Sequence, residues 1–159
     1  MANVVIDSLD PKDVETIAHL YNQVFKPPRS PESFARRFLA RANVVALVAR
    51  IGQDAVGFYI GLELKPSVHF AWLCGVVPGM RRVGIGTQLM HAAIDWAKAQ
   101  GYASVRFECH NQHRAFLHFG ITEGFDIVGI RWDPDRLENL VIFEKSLGVP
   151  ADQEAGDTD

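Results

Sequence analysis

The stretch Cys74-Gly75-Val76-Val77-Pro78-Gly79-Met80-Arg81-Arg82-Val83-Gly84-Ile85-Gly86-Thr87 decides how the chain folds. It joins an apolar strand to the strongest helical pattern in the sequence. A helix start leaves up to four backbone N–H groups without partners, with a partial positive charge behind them. Glycines at 84 and 86 let an anion approach those amides free of Cβ atoms. Arg81 and Arg82 add full positive charges beside the same spot. Together these features describe a pyrophosphate site built mostly from backbone. A Walker loop would end in Gly-Lys-Ser/Thr, which is absent. A dinucleotide fingerprint would need a third glycine near position 89, where Leu89 stands. A tight turn with solvated arginines is the plainer alternative.

Outward from the loop, the helix is expected over about 84–100, with Ile85, Leu89, Met90, Ala93, Ile94 and Ala97 as its buried stripe and Gly101 just past its end. Upstream, residues 3–9 form a strand. Asp10 then caps a helix that opens on Pro11 and runs to Lys26, where Pro27-Pro28 stops it. Ser30 caps a second helix with Pro31 in its first turn. Strands are expected over 44–51, 55–64 and 68–77, linked by turns at Gly52-Gln53-Asp54 and Lys65-Pro66-Ser67. Downstream come a strand at 103–109, a helix over about 112–123, and strands at 125–131 and 139–146. Three hairpin-linked strands precede the major helix, which excludes a doubly wound dinucleotide fold. The order predicts an α+β (mixed α/β) architecture: a central, mostly antiparallel sheet of six or seven strands flanked by about four helices.

The 159 residues are 48% apolar and 22% charged, as in a globular protein of one domain. One domain is expected over 1–148, followed by an acidic tail, 149–159, expected to be disordered. A net charge of −3 argues against nucleic acid as the main ligand. No apolar run nears the roughly 18–20 residues that span a bilayer, so no membrane partner is expected. The start of the chain lacks a signal-peptide pattern. The two cysteines, Cys74 and Cys109, show no metal-ligand spacing, and free thiols in a reducing cytoplasm are expected; no metal site is read from the sequence.

The segments Val76-Val77-Pro78 and Arg81-Arg82-Val83-Gly84-Ile85-Gly86, at the head of a long helix, resemble the signature of the GNAT superfamily of acetyl-CoA-dependent N-acyltransferases. The element order agrees over roughly residues 3–147. The resemblance implies a sheet splayed between its fourth and fifth strands, acetyl-CoA as co-substrate, and an amine acceptor. It also implies that the amides of Arg81, Arg82, Val83, Gly84, Ile85 and Gly86, with Thr87 nearby, hold the pyrophosphate. Backbone groups of Cys74 and Val76 would pair with the pantetheine arm, and Gly75 would suit a bulge at the splay. Asn111 matches an asparagine that many members set against the cofactor arm. Homodimers are frequent in the family.

An amine such as lysine's, with a pKa of about 10.4, is mostly protonated at neutral pH, so a base or water chain must take its proton and an acid serves the leaving thiolate. Many members place a tyrosine on the helix after Asn111 as that acid. Here the tyrosines stand at 21, 59 and 102. His118 is the candidate in its place, against the reading of a surface histidine. Glu63, His69 and Glu108, on central strands, are candidate bases. Phe58 and Trp72 are candidates to line the acceptor pocket, although strand aromatics are more often core. Arg29, in the loop between the first two helices, is the candidate anchor for an acidic acceptor group. A non-catalytic acetyl-CoA-binding module is the rival reading.

Overall fold

A computed structural model describes residues 3–81 and 83–148. Its elements run β1 (Val4–Leu9), α1 (Val14–Val24), α2 (Pro31–Leu39), β2 (Val45–Ile51), β3 (Asp54–Lys65), β4 (Val68–Val76), α3 (Ile85–Ala99), β5 (Ser104–His110), α4 (Arg114–Thr122), β6 (Asp126–Asp133) and β7 (Glu138–Ser146). The strands form one seven-stranded sheet in the order β1-β2-β3-β4-β5-β7-β6. The pairs β1–β2, β2–β3, β5–β7 and β6–β7 are antiparallel. Every expected element is present, within a few residues. The tail at 149–159 and Arg82 lie outside the described residues.

The largest boundary shift is at α1, expected from Pro11 and observed from Val14. Asp10 accepts a hydrogen bond from the Lys12 N–H at 2.9 Å and so shapes a turn instead of capping a helix. Asp13 takes over the cap, its carboxylate accepting from the N–H and the hydroxyl of Thr16 at 3.2 and 2.8 Å. Ser30 caps α2 as expected, accepting from the Ser33 N–H. The ends of α3 and α4 follow one rule. Gly101 and Gly124 have φ of 87° and 77°. The next residues, Tyr102 and Phe125, donate back to the carbonyls of Ala97 and Gly120 at 3.1 and 2.9 Å. This is the Schellman pattern, and it needs the left-handed backbone that glycine tolerates.

The chain divides into two compact units, Met1–Glu63 with Ala71–Asp95, and Leu64–Phe70 with Trp96–Asp159. In the first, Ile17, Leu20 and Tyr21 of α1 and Phe34 of α2 pack on Val48 of β2 and on Phe58 and Ile60 of β3. Residues 45–49 are buried without a break, so this strand is covered on both faces and carries a continuous apolar run. Two strand glycines admit the helices. A Cβ on Gly57 would lie 3.2 Å from side-chain atoms of both Ile85 and Leu89 on α3. A Cβ on Gly75 would lie 2.9 Å from both Phe58 and Val24, and 3.0 Å from Phe25.

In the second unit, β5 alternates buried and half-buried residues, with Val105, Phe107 and Cys109 inward. Phe107 stacks on Phe143 at 4.8 Å and meets Phe125 edge-on at 5.0 Å. His69 lies buried beside Trp96 and Tyr102, with ring centroids 5.3 and 5.6 Å away. Burial pushes its pKa down to about 4.

Two predictions follow from this packing. A Cβ on Gly120 would lie 2.6 Å from the Phe143 ring. Gly120→Ala therefore destabilises by about 1–3 kcal/mol in urea titration, although alanine is the better helix former. Unchanged or raised stability would mean that the Phe143 ring gives way. The second concerns His69, whose folded pKa lies below the unfolded value of about 6.5. The unfolded chain then binds the proton first, so stability is complete above about 6.5 and falls as pH drops toward about 4. His69→Phe should remove a loss of roughly 3 kcal/mol across that window. Parallel urea midpoints for wild type and variant at pH 7 and pH 4.5 check it, and parallel pH trends would refute it.

Candidate active site

The loop from β4 to α3 is built in three steps. The Val77 N–H donates to the Val56 carbonyl at 2.9 Å, so the loop leaves the sheet from a fixed point. Val77-Pro78-Gly79-Met80 then closes a turn through the Met80 N–H and the Val77 carbonyl at 3.1 Å. Proline second and a glycine with φ of 92° third are what a type II turn requires. Last, Gly84 takes φ of 82° and its carbonyl accepts from the Gln88 N–H at 3.0 Å, which opens α3. Arg81 is exposed and folds back, its Nε donating to the Val76 carbonyl at 3.1 Å.

This helix start suits an anion. Its first turn holds no acidic side chain. The opening amides of any α-helix have no partner within it. Gly86 is the most informative residue. Glycine there costs helix stability, yet the protein does not require it, because the nearest atom to an added Cβ is Val76 Cγ2 at 3.8 Å. The open space above Gly86 fits the close approach of a bound group such as a pyrophosphate. Val83 and Thr87 are exposed, and Ile85 is buried as the helix's anchor.

Cys74 and Val76 lie near the end of β4. The Cys74 thiol faces the Gly86 carbonyl at 4.0 Å, and burial pushes its pKa up to about 12. Burial likewise pushes Cys109 up to about 11. Both are free thiols, and burial favours the protonated form of each. Gly75 proves to have a packing role that its sequence context did not reveal, the admission of Val24 and Phe25.

The other candidates are placed as follows. Phe58 is buried in the core of the first unit, edge-on to Tyr21 and Phe25. Glu63 accepts from the Asn43 side chain at 3.1 Å. Trp72 is half-buried against Phe34 and Phe38. Arg29 is exposed over a group of rings. In the second unit, Glu108 lies 3.5 Å from the Arg131 guanidinium. Asn111 is exposed at the end of β5, its N–H donating to the Asn139 carbonyl at 2.9 Å. It does not cap α4, since His113 holds that position without a side-chain bond. His118 is exposed on α4. His69 is neutral and enclosed.

One polar cluster had no sequence signal. His110 Nε2 lies 2.9 Å from an Asp133 carboxylate oxygen, and its Nδ1 lies 4.0 Å from Glu138. The bond to His110 is the main cause that holds the Asp133 carboxyl below its usual range. His113, 5.8 Å away ring to ring, is lowered chiefly by burial and then by the charges of His110 and Arg136. Only the β5–β7–β6 register brings these residues together. Among the described residues, no group of His, Cys, Asp and Glu is arranged to hold a metal ion, and no helix is long and apolar enough to cross a membrane.

The fold recurs in solved structures. The Escherichia coli ribosomal-protein-S18-alanine N-acetyltransferase superposes with a TM-score of 0.80 at 20% identity, covering 94% of this chain and 97% of that one. An N-acetyltransferase from Staphylococcus aureus Mu50 gives 0.76 at 20% identity over 92% and 100% of the two chains. The yncA protein of Salmonella typhimurium, solved with its cofactor acetyl-CoA, gives 0.76 at 17% identity over 94% and 97%. No curated protein sequence matches significantly. The profile of the acetyltransferase (GNAT) family matches residues 14–120, a span that holds β2 to β5 and the whole glycine loop, and the chain belongs to that family.

Proposed function

We propose that this acetyltransferase uses acetyl-CoA as donor and passes the acetyl group directly to a primary amine within a ternary complex in the cytoplasm. The observation that carries the reading is the N-terminus of α3, with its opening amides, its lack of acidic side chains and a glycine at 86 that packing does not demand. Bound acetyl-CoA would supply an activated thioester. The amides from Arg81 to Gly86 would hold its pyrophosphate, with Thr87 beside them, and the backbone of Cys74 and Val76 would pair with its pantetheine arm. The acetyl-CoA in the yncA structure supports this choice of donor.

Direct transfer is supported by the thiols, since burial favours the protonated form of both Cys74 and Cys109. Asn111 is assigned to the cofactor arm, because its side chain is exposed and is not used as a helix cap. His118, exposed on α4 where no tyrosine stands, is assigned as the acid for the departing thiolate. Glu63 and Glu108 are assigned as carboxylates that draw off the amine proton through water. His69, buried and neutral, is assigned to the core.

Acetyl-CoA at millimolar concentration should raise the melting temperature in proportion to log concentration. Gly86→Val should abolish that rise while leaving the unliganded melting temperature nearly unchanged, because an added Cβ meets nothing nearer than Val76 Cγ2 at 3.8 Å. Gly84 is a poorer test, since its φ of 82° strains any other residue. A wild-type protein with no thermal shift, or a valine variant with a normal one, would sink the donor site. Asn111→Ala should weaken acetyl-CoA by about 1–2 kcal/mol in calorimetric titration. An unchanged dissociation constant would remove Asn111 from the site. Release of free thiol from acetyl-CoA across a panel of amines tests turnover itself.

A further inference from the structure

Two arginines converge on one ring. The guanidinium carbon of Arg37 lies 4.7 Å from the Trp72 centroid, and that of Arg29 lies 5.3 Å from it. Arg29 also lies 5.2 Å from Tyr21 and 6.0 Å from Phe34. Trp72 is seated in turn by Phe34 at 6.0 Å and Phe38 at 6.5 Å. The backbone of Arg29 is pinned on both sides. Its N–H donates to Asn22 Oδ1 at 2.8 Å, and its carbonyl accepts from Asn22 Nδ2 at 3.0 Å. The α1–α2 loop therefore delivers Arg29 to a set place.

The charges are not balanced. Neither Arg29 nor Arg37 forms an ion pair with a carboxylate among the described residues. Arg41 adds a third positive charge, and the Arg37 pKa is lowered by burial first and then by Arg41 and Arg29. Like charges gathered this way repel, and the aromatic faces hold them in place. A guanidinium stacked on a ring keeps its edge N–H groups for two oxygens of a carboxylate or phosphate. Trp72 stands two residues before Cys74 on β4, about 7 Å along a strand. That spacing suits a small acceptor whose amine and anionic group are several bonds apart.

We propose that Arg29 and Arg37, seated on Trp72, form an oxyanion clamp that selects an amine acceptor carrying a carboxylate or phosphate group. The proposal rests on the acetyl-transfer reading above and names the acceptor class for it.

The test has a binding arm and a turnover arm. Tryptophan fluorescence is titrated with inorganic phosphate and with succinate, in the wild type, Arg29→Gln and Arg37→Gln. A saturable change is expected with at least one anion, weakened about tenfold or more in each variant. The anion that binds distinguishes phosphate from carboxylate acceptors. Turnover is then compared for 4-aminobutyrate against its amide, and for phosphoethanolamine against ethanolamine. The anionic partner of at least one pair should be favoured, with KM raised in the variants and kcat nearly kept. Absence of saturable binding by either anion overturns the clamp, as does equal binding in wild type and variants. Variants that lose only melting temperature reduce the arginines to braces and overturn it too. The acetyl-CoA thermal shift is read in the same samples and should survive both substitutions. Its absence in the wild type would refute the donor reading, while the anion titration would still decide the clamp.

Discussion

The close approach of two helices to neighbouring strands governs the first unit, and it depends on the absence of side chains at Gly57 and Gly75. Ile85 and Leu89, on the first turns of α3, lie 3.2 Å from where a Cβ on Gly57 would stand, and Val24 and Phe25, at the end of α1, lie 2.9 and 3.0 Å from where a Cβ on Gly75 would stand. Close packing leaves no slack at such contacts. A larger residue at 57 would lift the start of α3 and with it the row of opening amides. A larger residue at 75 would push away the end of α1 and the loop that carries Arg29. The start of α3 and the loop that carries Arg29 are thus both set by the strands beneath them.

Electrostatics then divide the work. At the α3 N-terminus, positive character comes from oriented backbone dipoles together with Arg81, whose Nε donates to the Val76 carbonyl. At Trp72 it comes from full charges that aromatic faces hold together. Between these two features on β4 stands Cys74, whose thiol burial keeps neutral.

The second unit places its polar groups differently. His110 sits between Asp133 and Glu138, 2.9 and 4.0 Å from their carboxylates, with the His113 ring 5.8 Å away. His69, by contrast, is enclosed by Trp96 and Tyr102 and is held neutral by desolvation. Two histidines on strands thus have different surroundings, carboxylates for His110 and aromatic rings for His69.

The order of elements, the caps at Ser30 and Gly101, and the glycine loop were legible in the sequence, because each is governed by contacts within a few residues. Helical period, a proline in the first turn of α2 and a glycine after α3 act locally, and they also sufficed to mark the family. The start of α1 was misplaced for a local reason as well, since Asp10 and Asp13 are both competent caps and only the hydrogen bonds of Asp13 reveal the choice. Strand aromatics could not be sorted in advance. Phe58 is core and Trp72 is a platform, a difference decided by how deeply α1 and α2 settle on the sheet. Arg37, on an ordinary amphipathic helix, gave no sign that it would meet Arg29 over Trp72, and the bond between His110 and Asp133 depends on strand register across 23 residues. Sequence alone determined the local backbone and the loop it folds into. Tertiary structure decided which distant side chains share a place, because that depends on packing depth and register, which no short-range pattern encodes.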